Sequence, residues 1–92
     1  MTKISITQLI WDAVNNEHIK KHSVTPVEIE ETIQNVNAHR KGYSGRIFLI
    51  GRAGKRILAI LVKLKENKKY YVVTARDADK KERRLLYDNE KK

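Results

Sequence analysis

The stretch Lys69-Lys-Tyr-Tyr-Val-Val-Thr-Ala-Arg76-Asp-Ala-Asp-Lys-Lys-Glu-Arg-Arg-Leu-Leu-Tyr87 sets the fold class of this 92-residue chain. Tyr70 to Ala75 are aromatic, β-branched or small, the composition of a strand inside a sheet. A helix follows at once: Asp77 or Asp79 can cap it, and Asp79 with Glu82 has capping-box spacing. Arg76 therefore falls at a strand-to-helix junction, where side chains commonly point into a cleft. A strand running straight into a basic helix, with a sheet and two helices built around it, predicts an α+β domain.

Upstream, Ile4, Ile6 and Ile10 alternate with polar residues and predict a strand over 3–10. Asp12 offers an N-cap for a short helix over 13–22, with Val14, His18 and His22 on one face and Ile19 beside it. Thr25-Pro-Val-Glu28 is a capping box with proline at the first helical position, and Val24 with Ile29 has the spacing of a hydrophobic staple. Ile29, Ile33 and Val36 then repeat at helical spacing, so a second helix is expected over 26–36, with Glu28, Glu30, Glu31 and Gln34 facing water.

Residues 37–45 have no periodicity and two glycines, and read as an exposed basic loop. Arg46 to Ile50 reads as a strand and 51–55 as a turn. Ile57 to Leu64 is apolar at nearly every position, as in a central strand covered on both faces. Residues 65–68 turn the chain into the last strand. Short connections imply an antiparallel meander. The expected order is β-α-α-β-β-β-α, an antiparallel sheet packed against helices in one domain over residues 1–92.

Composition narrows the chemistry. There is no cysteine, which removes disulfides and thiolate metal sites, and no apolar run long enough to span a bilayer. The polar N-terminus has no signal-peptide pattern, so a cytoplasmic protein with no membrane partner is expected. The net charge of +9 is regional: residues 1–38 hold three basic and five acidic side chains, and the remainder holds 17 basic and six acidic. A basic C-terminal part points to a polyanionic partner.

His18 and His22 share a helix face, but two lysines lie between them and no glutamate follows the first histidine, so a zinc site is not expected. No P-loop, dinucleotide fingerprint or nucleophile elbow is present, and no cofactor is expected. The candidate groups are the cations and aromatics at the sheet end: Arg52, Arg56, Tyr71, Arg76, Lys80, Arg83 and Tyr87. Arginine grips phosphate with two parallel hydrogen bonds, and aromatic rings stack on exposed bases. Such a set can bind RNA; it can also cleave it, given a base for the 2′-hydroxyl and an acid for the leaving oxygen. Salt-bridging to Asp77, Glu82 and Asp88 is the plain structural alternative.

Trp11-Asp12, Asn16, His18-Ile, His22-Ser-Val-Thr-Pro-Val-Glu and Glu31, then Arg56-Ile-Leu-Ala-Ile-Leu-Val, then Val73-Thr-Ala-Arg76, Glu82-Arg-Arg and Tyr87 together resemble the BrnT family, toxins of type II toxin–antitoxin modules. The resemblance runs from about Ile6 to Tyr87. It implies a RelE-like ribonuclease fold, metal-independent mRNA cleavage, and a cognate antitoxin partner of the ribbon-helix-helix type. By position it marks His22, Arg56, Arg76 and Glu82 with Arg83 as site residues, with Arg56 and Arg76 as phosphate and transition-state ligands and His22 or Glu82 handling protons. Arg52, Tyr71, Lys80, Arg83 and Tyr87 are then RNA-binding residues. Two departures stand out. Tyr71 occupies a position where many members carry arginine, and Tyr43-Ser-Gly-Arg46 replaces a Gly-Glu-Glu-Arg run. A non-catalytic binding module on the same fold is the alternative.

Overall fold

The computed structural model describes residues 8–42, 44–66 and 69–91. Its elements run β1 (Gln8–Ile10), α1 (Ala13–Lys20), α2 (Pro26–Gln34), β2 (Val36–Lys41), β3 (Arg46–Ala53), β4 (Arg56–Leu64), β5 (Lys69–Asp77) and α3 (Lys80–Glu90). The fold is α+β, with one five-stranded sheet in the order β1-β5-β4-β3-β2. α1 and α2 carry the chain along one face, packing on β5 and β3, to the far edge. From there β2 to β5 return as a four-strand meander. β1 lies parallel to β5, pairing Leu9 with Tyr70, so the sheet is mixed rather than purely antiparallel. Among the described residues no helix is long and apolar enough to cross a membrane.

The caps behave as their chemistry demands. Asp12, Thr25 and Asp79 each close a capping box, with Asn15, Glu28 and Glu82 as the reciprocal partners. Val24 and Ile29 bury together against the sheet, as a staple should. β4 is the central strand, and Leu58, Ile60 and Val62 lie on its α1–α2 side with no exposure. Each such side chain contributes roughly 1.5–3 kcal/mol on burial. The opposite side of the sheet is covered more sparsely: Leu86 and Ala78 pack on Ala38, Ile50 and Ala59.

Four expectations are corrected. The basic loop over 37–45 is in large part the edge strand β2, with Ala38 opposite Ile50 and Arg40 opposite Phe48. An edge strand tolerates polar residues, and pairing with β3 rather than intrinsic preference holds it extended. The order is thus β-α-α-β-β-β-β-α.

α2 ends at Gln34, because Asn35 leaves the helical region and β2 begins two residues on. Of the first predicted strand only residues 8–10 are seen; 3–7 lie outside the described residues.

α1 ends at Lys20 and buries Asn15 and Ile19, not the face bearing Val14, His18 and His22, which is exposed. The Asn15 amide explains the rotation. Its oxygen accepts from the Asp12 N–H at 2.9 Å and its nitrogen donates to the Ile10 carbonyl at 2.8 Å.

Gly51 to Ala53 belong to β3, so the turn is only Gly54–Lys55, with Gly54 at φ +61°. Gly51 serves a close approach instead. A Cβ there would lie 2.8 Å from the Asn35 carbonyl oxygen, where the end of α2 rests on the sheet.

Candidate nucleic-acid interface

The Asp79 capping box places Glu82 one turn into α3, facing the sheet, with Leu86 one turn further along the same side. The Glu82 side chain is only 1% exposed, and three arms meet on its carboxylate. Arg76, from the end of β5, donates from both terminal nitrogens at 2.7 and 2.9 Å. The Asp79 backbone N–H donates at 2.9 Å. Arg40, from β2, donates at 3.2 Å.

Burial pushes the Glu82 carboxyl upward, but the Arg76 hydrogen bonds, the cap and Arg40 outweigh it and hold the group below the usual glutamate range. Glu82 is thus held in its ionised form, with four N–H donors on its two oxygens. Arg76, in turn, is held above its ordinary value chiefly by its hydrogen bonds to Glu82.

Phe48 of β3 lies beside both cations. The Arg40 guanidinium carbon is 4.6 Å from the ring centroid and that of Arg76 is 5.6 Å away. Register explains the grouping: Arg40 pairs with Phe48, Phe48 with Leu61, and Arg76 with Ala59, so all point to the α3 side of the sheet. α3 covers only one half of that side. Beyond it, Arg40, Lys41, Gly42, Arg46, Phe48 and Leu61 line an open cleft of about 530 Å³. Lys63, paired with Arg46 across β3 and β4, extends the positive margin. Among the described residues, neither Arg46 nor Lys63 has an ion-pair partner.

The residues expected from sequence divide into separate places. Arg76 and Glu82 come together as described. Arg56 lies at the sheet end on the α2 side, where it donates to the Ser23 carbonyl at 2.8 Å, to Glu28 at 3.0 Å and to Asp77 at 3.0 Å. It locks the α1–α2 junction, where Ser23 holds a left-handed φ of +57°, onto the sheet. His22 is exposed in that same junction, and its side chain has no hydrogen bond among the described residues. The four residues marked as catalytic are thus split between opposite sides of the sheet, because Arg56 and Arg76 have opposite strand parity.

Tyr71 donates its hydroxyl to Asp12 at 2.9 Å, and Lys65 sits 5.8 Å from its ring. Burial and then the Asp12 carboxylate raise the Tyr71 phenol. Arg52 is bound two-pronged by Glu90 at 2.8 and 2.9 Å. Lys80, Arg83 and Tyr87 lie on the outward side of α3, away from Glu82.

Arg40, Arg46 and Phe48 were not foreseen. Their one signal was the alternation of Ala38 and Arg40, which a polar edge strand shows only weakly. No protein-family model matches the chain, and no curated protein matches it.

Proposed function

We propose that the uncovered half of the sheet is an RNA-binding face, and that the chain acts there as a toxin-like, metal-independent endoribonuclease silenced by a cognate antitoxin. The observation that carries the RNA-binding part is the Arg40–Glu82–Arg76 cluster. Two guanidiniums converge on one buried carboxylate with Asp79 close by, and the cleft beside them is lined by Lys41 and Arg46, neither of which is ion-paired among the described residues. Arg40 uses one donor on Glu82 while its side chain stays half exposed, which leaves further N–H groups for a phosphate. A base can stack against the cleft wall formed by Phe48 and Arg40.

Cleavage is supported by the held cations, which suit the charge that develops on a phosphorane, and by the resemblance to the BrnT toxins. A ribbon-helix-helix antitoxin, as that resemblance implies, would silence the chain by covering this face. Binding without cleavage is the second reading. It is favoured by the saturated Glu82 and by the placement of Arg56 and His22 across the sheet.

Incubation of single-stranded RNA with the protein in EDTA tests both. Cleavage by the wild type that Arg40→Ala reduces supports the ribonuclease; binding without cleavage leaves the binder; no binding at all overturns the RNA face itself.

A further inference from the structure

The outward side of α3 is chemically distinct from the side that holds Glu82. Lys80, Arg84, Tyr87 and Lys91 follow one another at spacings of four, three and four, which makes one continuous helical stripe. At 1.5 Å per residue the stripe is about 16 Å long. Together with Arg83 and Asp88 these residues line an open hollow of about 460 Å³. A second hollow, of about 420 Å³, runs from Lys55 along the end of the sheet and shares Arg83 and Tyr87 with the first. Both hollows thus border Tyr87, which is 43% exposed and has the Arg52 guanidinium 5.9 Å from its ring centroid. Among the described residues, none of Lys55, Lys80, Arg83, Arg84 or Lys91 is ion-paired.

We infer that this stripe is a second track for single-stranded RNA, separate from the sheet cleft, in which the cations follow phosphates and Tyr87 stacks on a base. The inference shares with the proposed function only its RNA partner. Charge and composition choose this occupant over an acidic protein. Protein interfaces form around apolar cores depleted of lysine, and the exposed positions of α3 carry no apolar side chain except the amphipathic Tyr87. Cations interleaved with one exposed aromatic are the pattern of a sequence-tolerant single-strand platform. A strand held in the cleft and continuing over α3 would then gain affinity with length.

Binding of uncleavable 2′-O-methyl oligonucleotides of about four and about sixteen nucleotides, the span of single-strand site sizes, separates the two surfaces. Lys80→Glu with Arg84→Glu is expected to weaken the long strand by roughly tenfold or more and to lower its salt slope by about 0.7 for each phosphate contact removed. Tyr87→Ala is expected to weaken it roughly tenfold without changing the slope. Both variants should bind the short strand as the wild type does, and unchanged thermal melting checks their folding. An unchanged long-strand affinity and slope in the double variant would overturn the track. So would competition by polyglutamate as strong as by RNA together with indifference to Tyr87→Ala, which would assign the stripe to an acidic protein. Arg40→Ala reports on the other surface: if it leaves short-strand binding intact, the cleft reading fails while the track is judged on its own variants.

Discussion

Arg76 and Glu82 form a two-pronged ion pair, 2.7 and 2.9 Å, in which the carboxylate is buried and the guanidinium is about one-third exposed. The pair ties the last strand to the last helix, and the same carboxylate closes the capping box and reaches Arg40. One group thus organises α3, β5 and β2.

Glu82→Gln should therefore be costly. Removing the charged member of a buried pair leaves its partners uncompensated, at about 3–5 kcal/mol for full burial. Partial exposure of Arg76 and Arg40 reduces this, so a loss of about 2–3 kcal/mol is expected. A shift of the urea midpoint at unchanged m-value would check it.

The same group contributes to an acid limb, together with Asp12, Glu28 and Asp79, whose caps also hold them below their ordinary values. Glu82 has a folded pKa below its ordinary value of 4.5. Its contribution is full above that value and is lost as pH falls through the lower folded pKa. Thermal midpoints should drop as the pH goes below about 4.5, and Glu82→Gln should flatten that drop. An equally steep acid limb in the variant would place the titration elsewhere.

Arg40→Ala should separate binding from stability. Its single 3.2 Å bond to Glu82 and half-exposed side chain make it a small structural contributor. A stability change under about 1 kcal/mol is expected. Short-strand RNA affinity should fall roughly tenfold, in line with loss of one charge-assisted contact. Fluorescence anisotropy beside a urea titration gives both numbers.

Arg56→Ala should behave in the opposite way. Its partners Ser23, Glu28 and Asp77 hold the α1–α2 junction, so about 1–2 kcal/mol of stability should be lost. RNA affinity per folded molecule should stay the same. Cleavage abolished in a stably folded Arg56→Ala protein would return this residue to the chemistry.

Gly51→Ala tests the seat of α2. The new Cβ would meet the Asn35 carbonyl oxygen at 2.8 Å and the methyl of the buried Thr32 at 3.0 Å. Overpacking of this kind costs about 1–3 kcal/mol. Gly54→Ala, which meets nothing within 4 Å but keeps a positive φ, should cost less. Comparison of the two melting temperatures decides it.

The amino-acid sequence by itself determined what depends on neighbours along the chain. The capping boxes at Thr25 and Asp79, the staple of Val24 with Ile29, and a central strand from Ile57 to Leu64, within the observed Arg56–Leu64, were all legible. Each rests on contacts three to five residues apart or on an unbroken apolar run. Register and parity decided the rest. β2 exists because β3 pairs with it, and Arg40 belongs to the cleft because that pairing sets it beside Phe48, within reach of a glutamate 42 residues away. Arg56 and Arg76, alike as sequence, part company because successive strand positions face opposite sides, and only the folded sheet says which acids wait on each.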